Sequence, residues 1–173
     1  LIEASISVKR RNTFTIQKKE NIMNIVGAIV AGLVGTIVMS MLLLMAPKMG
    51  MPKMDIVGML GAMFSKESNT ALGWVMHLMN GVIFAILYAL LWSAGVGSAT
   101  WLNGVIFGVV HWLIVGLMFG MVPLMHVGVK AGTVPAPGLY MTANGGMMSF
   151  VGGLMGHVVY GLVVALTYGF FVR

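Results

Sequence analysis

Residues 73–88 read GWVMHLMNGVIFAILY and residues 153–168 read GLMGHVVYGLVVALTY. Aligned without gaps, Gly73, His77, Gly81, Ala85 and Tyr88 fall on Gly153, His157, Gly161, Ala165 and Tyr168 at one constant offset. Positions three and four residues apart share a helix face. Each stretch therefore presents a groove of small residues with a histidine in it. Both stretches are apolar and free of formal charge, and an ionisable side chain inside such a segment is a functional candidate by default. The pattern predicts an all-α membrane protein made of two tandem helix-pair repeats, with a site where the repeats meet.

The rest of the chain fits this frame. Charged residues make up 8% of the sequence and hydrophobic ones 59%, whereas soluble domains carry about 25% charged residues. No Asp, Glu, Lys or Arg occurs between Ser68 and Val129, or between Ala131 and Val172. A crossing takes about 20 apolar residues in a helix. Four transmembrane helices are predicted, at about 24–46, 71–93, 101–124 and 147–171, within a domain of residues 23–173. Pro47 closes the first and Pro123 the third, while Trp74 and Trp92 are expected to anchor the second at its two interfaces. Rows of small residues (Gly27, Ala31, Gly35; Gly32, Thr36, Ser40; Gly104, Gly108; Gly116, Gly120) let helix backbones approach closely in lipid. Rows facing outward would serve self-association or docking to a larger membrane complex.

The first connector, 47–70, holds most of the remaining charge. Ile56, Leu60, Met63 and Phe64 recur there at helical spacing between Lys53, Asp55 and Lys66, which predicts a short amphipathic helix lying at the interface. The second connector, about 125–146, contains Pro135, Pro137, Gly145 and Gly146, which oppose a continuous helix. One repeat holds two crossings, so both units insert in the same direction, related by an axis along the membrane normal.

Residues 1–22 differ from the rest, being polar and holding half of the basic residues behind the net charge of +6. Lys19-Glu20 can be encoded AAG-GAG, a ribosome-binding sequence at normal spacing before an ATG at Met23. On that reading the segment is untranslated upstream sequence; the other reading is a basic tail at the membrane surface. With a start at Met23, Lys48, Lys53, Lys66 and Lys130 place the connectors in the cytoplasm by the positive-inside rule. With residues 1–22 present the bias reverses weakly. The charge gives no reason to expect a nucleic-acid partner; the expected partner is the lipid bilayer.

The runs MNIVGAIVAGLVGTIVMSMLLLM (23–45), GWVMHLMNG (73–81) and GHVVYG (156–161) resemble an uncharacterised family of small four-helix prokaryotic integral membrane proteins. The resemblance implies the fold and a multi-pass place in a prokaryotic plasma or inner membrane. It implies no activity.

His77 and His157 lead the functional candidates. The flanking glycines clear space beside each imidazole, either for a b-type haem with both histidines as axial ligands or for a neighbouring helix. In the second case each neutral histidine would hydrogen-bond a carbonyl, Asn80 or Tyr160. His111, in the third crossing, has no counterpart in the first and is a secondary candidate. Asn80, Tyr160, Gly81, Gly161, Tyr88 and Tyr168 would line a pocket or polar path. His126 is expected simply at the interface. Met41, Met45 and Met49, followed by Met51, Met54, Met59 and Met63, raise a copper reading, since thioethers suit Cu(I). The eighteen methionines are spread over every crossing, however, and methionine is also a flexible apolar filler, so no metal site is expected.

With no cysteine in the chain, disulfides and thiolate ligands are excluded. Asp55 and Glu67 are the only carboxylates after Met23 and both lie in a connector, so paired-carboxylate catalysis has no basis. Neither a phosphate loop followed by Lys nor an acid-assisted Ser–His arrangement is present. The expectation is a non-enzymatic protein without a cofactor, an accessory or assembly component or a small-solute conduit. A haem-binding electron-transfer protein and a histidine-lined transporter are the alternatives.

Overall fold

A computed structural model describes residues 23–173, and within them the chain is helical with no strand. The readings made of residues 1–22 lie outside the described residues. Four helices are long and apolar enough to cross a membrane: α1 (Ile25–Met45), α3 (Thr70–Ser93), α4 (Trp101–Met118, continuing as shorter turns to Met125) and α7 (Gly146–Val172). At 1.5 Å per residue the 21 residues of α1 span about 31 Å, the thickness of a bilayer core. Local chemistry marks the starts. Asn24, Asn69 and Thr100 each accept the backbone N–H three residues on, at 2.8, 3.0 and 3.4 Å, caps worth about 1 kcal/mol each.

Packing is set by the small residues. α1 and α7 pack as an antiparallel pair, with α3 against α1 and α4 against α7, and α3 meets α4 through Tyr88, whose hydroxyl donates to the Phe107 carbonyl. A Cβ at Gly32 would stand 2.7 Å from Cα of Val82 and 2.8 Å from the Gly81 carbonyl, and one at Gly35 would stand 2.9 Å from Val164. On the other side, a Cβ at Gly104 would stand 2.6 Å from both Ala165 and the Gly161 carbonyl. Backbones at this distance gain dispersion contact that lipid cannot replace. Away from these seams Val75, Met79, Ile83 and Leu87 of α3 are exposed, as side chains facing lipid must be. The rows Gly27/Ala31/Gly35 and Gly32/Thr36/Ser40 are both buried within the bundle, as are Gly104 and Gly108.

Three expectations are corrected. Trp92 is no interfacial anchor: it is 5% exposed and packs on Tyr88, Phe107 and Tyr168, with Nε1 unpartnered. The connector helix α2 (Ile56–Gly61) is shorter than its periodicity, ending before Met63 and the exposed Phe64. It is packed into the bundle, with Met59, Leu60 and Gly61 buried and Gly73 of α3 against the Val57 carbonyl. Finally, His126 is fully buried. It sits between two single-turn helices, α5 (Val122–Met125) and α6 (Val127–Lys130). Its Nδ1 accepts the Val129 N–H at 3.1 Å, so Nε2–H donates to the Met59 carbonyl at 2.7 Å. Val127 and Gly128 donate to Met63 and Ala62 carbonyls, both at 3.1 Å. The two connectors are thereby stitched together at one end of the bundle.

Candidate functional site

Beneath that stitched layer lies a cavity of about 140 Å³. His77 from α3, His111 from α4 and His157 from α7 line it, together with Asn80, Tyr160 and Trp112. The face predicted for each repeated stretch is the buried one: Gly73, His77, Gly81, Ala85 and Tyr88, and likewise Gly153, His157, Gly161, Ala165 and Tyr168. Its two histidines, on α3 and α7, do not meet across a shared seam, because the close seams of the four crossings are α1–α3, α1–α7 and α4–α7. They converge on the cavity instead. His111, the secondary candidate, is central: its ring stacks on Phe84 at 3.7 Å and stands edge-on to His157 at 4.7 Å.

Each histidine is anchored by a single nitrogen, and the partners fix its tautomer. Ser40 donates its hydroxyl proton to the Thr36 carbonyl at 2.7 Å. His77 Nε2, 3.1 Å from that oxygen, must therefore be the donor, which leaves Nδ1 unprotonated. Tyr88 donates to the Phe107 carbonyl at 2.9 Å, so His111 Nδ1–H donates to the Tyr88 oxygen at 3.2 Å and Nε2 keeps its lone pair. His157 Nδ1–H donates to the Gly153 carbonyl at 2.8 Å, again leaving Nε2 free. Among the described residues those three remaining nitrogens take no hydrogen bond, whereas His126 uses both of its own. The contrast separates a histidine that fastens backbone from three that each keep one lone pair open. Asn80 also forms no side-chain hydrogen bond among the described residues. Trp112, fully buried in the wall, leaves Nε1 unpartnered.

The remaining predicted residues divide. Gly81 and Tyr160 line the cavity, and the Tyr160 hydroxyl donates to the Gly81 carbonyl. Tyr88 acts through His111. Gly161 serves the α4–α7 seam, and Tyr168 accepts the Asn24 N–H at 3.1 Å at the start of α1. Sequence reasoning missed Ser40 and Trp112, which hold His77 and pack on His157 at 4.9 Å. Four methionines stand in the wall: Met54 and Met59, which the copper reading included, and Met39 and Met141, which sequence reasoning missed.

Residues 22–173 match a family of unknown function, DUF6789. The chain belongs to that family. No curated protein and no solved structure matches it.

The cavity has two different ends. Toward the connectors, His77, Met54 and Ile56 also line an outer hollow of about 340 Å³ that reaches Lys53 and Asp55. Met54, Met59 and Met141 likewise border another hollow of about 450 Å³. At the other end, toward the start of α1 and the end of α7, the rings of Tyr88, Trp92, Phe107 and Tyr168 pack at 5.0–5.7 Å and close the bundle. Met141 is held at its position by costly backbone. It and Tyr140 have φ of 57° and 52°, a region that side chains other than glycine occupy at about 1–3 kcal/mol each. Such strain persists only where the surroundings over-determine it. Here the Tyr140 ring is wedged against Gly116 and packs on Trp112 and Phe150.

Proposed function

We propose that this is a non-enzymatic multi-pass membrane protein that admits a small solute or ion from its connector side into the histidine-lined chamber. It passes that solute across when the aromatic layer parts. The observation that carries the reading is the convergence of three singly anchored histidines, from three helices, on one cavity. An intramembrane histidine whose second nitrogen is left open is poised to accept a proton, a hydrogen-bond donor or a metal ion.

Two other readings draw less support. Assembly through outward small-residue rows loses its motivation, because the rows identified on α1 and the Gly104/Gly108 row are taken up by packing within the chain. A haem is disfavoured by size. Pockets for drug-sized ligands run to about 300–1,000 Å³, well above this cavity, and the His111 ring lies against that of His157.

The duplicated helix pair is part of the proposal. It is supported by matched seams: Gly81 would meet Thr36 and the Gly32 carbonyl, as Gly161 would meet Gly108 and the Gly104 carbonyl. The test is flux in proteoliposomes, with sodium, potassium, ammonium, formamide and glycerol as probes. The wild type is expected to raise permeability to at least one of them, and a Tyr88→Ala/Trp92→Ala variant to raise it further. If neither protein exceeds protein-free vesicles for any probe, the conduit reading fails.

A further inference from the structure

The walls of the chamber hold two kinds of neutral donor, borderline imidazole and soft thioether, and no acid. Three imidazoles each offer a nitrogen with an uncommitted lone pair. Four thioethers (Met39, Met54, Met59 and Met141) come from α1, the first connector, α2 and the second connector. Among the described residues no three His, Asp or Glu side chains stand close enough to hold a metal by themselves, so thioethers would have to complete any ligand set. Hard cations are poorly served, since Ca²⁺ and Mg²⁺ require several oxygen ligands and usually carboxylates. A divalent ion would also bring two uncompensated charges into a low-dielectric bundle, where desolvation is severe. Thioether sulfur selects Cu(I), and imidazole binds copper as well. Cu(I) tolerates low coordination and carries a single charge.

We infer that the chamber is a binding site for a soft monovalent metal ion, Cu(I), held by free histidine nitrogens and by the thioethers of its wall. This rests on the chamber being a ligand site, as proposed above. The anchors fit the role. In metal sites the non-ligating imidazole nitrogen is tied to a carbonyl, carboxylate or water that fixes the ring. Here the Gly153 carbonyl, the Ser40 hydroxyl and the Tyr88 hydroxyl supply that restraint. Met54 borders the chamber and both outer hollows, which places a soft ligand at the threshold. The methionines spaced by four in sequence play no part, since Met41, Met45 and Met49 are exposed on the outside of the bundle.

The absence of cysteine makes the test clean, because any soft-metal binding must fall on methionine or histidine. The full chain in detergent is titrated with Cu(I) under ascorbate against a bicinchoninate chelator, with Ag(I) as a redox-inert second probe and Zn(II), a borderline divalent ion, as the control. A single Cu(I) per chain is expected, matched by Ag(I), with Zn(II) binding far more weakly. Met54→Leu/Met59→Leu/Met141→Leu, which conserves volume, should lose most of the bound Cu(I). Met41→Leu/Met45→Leu/Met49→Leu should retain it. Ser40→Ala, which frees His77 without touching the ligands, should weaken binding about tenfold. Failure of the wild type to compete with the chelator would overturn the inference, and so would equal losses from the two methionine triples. A chain that conducts a probe in proteoliposomes but holds no Cu(I) loses the metal and keeps the conduit. One that does neither loses both.

Discussion

The α1–α3 pair and the α4–α7 pair place their helices in the same register and finish the job with different residues. Where α1 offers Thr36 and Ser40 to α3, α4 offers Gly108 and Trp112 to α7. In the first pair a hydroxyl reaches across and holds His77. In the second an indole fills that place, and His157 turns to the carbonyl of its own Gly153. Met39 and His111 both reach the cavity, from α1 and α4 respectively. One packing solution therefore tolerates large chemical differences at its seam so long as the close approach of small residues is kept. The seam carries the fold, and the positions beside it are free to build a site.

The sharpest way to break this comparison is to add one methyl group to each seam. At Gly161 a Cβ would meet the Gly104 carbonyl and stand 2.8 Å from the Gly108 nitrogen and 2.9 Å from its Cα. All are backbone atoms and none can yield. At Gly81 the first obstacle is the Thr36 hydroxyl, with the Gly32 carbonyl at 3.3 Å, and a side chain can rotate. Gly161→Ala is expected to cost about 3 kcal/mol, the upper end for overpacking, and Gly81→Ala about 1 kcal/mol. Thermal unfolding in detergent decides it, and equal losses would mean that the seams are mechanically alike. The next effect follows from the same contact. Thr36→Ala should restore much of the stability lost in Gly81→Ala, while Gly108→Ala should deepen the loss in Gly161→Ala.

How much of this could be read from the chain depends on which distances the sequence encodes. Periodicity within one helix is local geometry, so the buried face of Gly73, His77, Gly81, Ala85 and Tyr88 was legible, and all four crossings lie within a few residues of their predicted bounds. What stands opposite a residue is a tertiary fact. Nothing in the local sequence names Ser40 as the partner of His77, because the link runs over 37 positions and two helices. The methionine wall was half legible for the same reason: the run along the chain includes Met54 and Met59 together with the exposed Met41, Met45 and Met49, and only the fold adds Met39 and Met141. His126 misled in the other direction. A polar residue in a connector reads as interfacial until the connector folds over and buries it.

Among the histidines themselves the comparison sharpens at smaller energies. His77→Ala removes an interhelical hydrogen bond to Ser40, whereas His157→Ala removes one within a single helix. Interhelical bonds of this kind are worth about 0.6–2 kcal/mol in membranes. The His77 variant should therefore lose up to about 2 kcal/mol. The His157 variant, measured without metal, should lose mainly the packing of the ring against Trp112 and His111. Ser40→Ala should reproduce most of the His77 loss and add little to it in the double variant. Additive losses would separate the two side chains.

The smallest effect is expected from the matched tyrosines, and it reads on chemistry more than on stability. Tyr88 and Tyr168 occupy equivalent places in the repeated stretches, and each hydroxyl makes a hydrogen bond to a neighbouring helix or helix cap. Removing either hydroxyl should cost about 0.6 kcal/mol, the mean for such bonds. The consequences diverge at His111. Its Nδ1–H donates to Tyr88 because the Tyr88 proton is already committed to the Phe107 carbonyl. Tyr88→Phe deletes the acceptor, so the proton has no reason to stay on Nδ1 and the Nε2–H tautomer should become populated. Tyr168→Phe leaves that arrangement intact, since among the described residues the Tyr168 hydroxyl bonds Asn24 and not His111. Nitrogen chemical shifts of His111 in labelled protein distinguish the two tautomers directly. A single Nδ1–H form in the wild type and in Tyr168→Phe, with a mixture in Tyr88→Phe, is the expected pattern. A wild type already mixed would show that the hydroxyl network leaves His111 unset, and that the free nitrogen facing the chamber is not assigned by Tyr88.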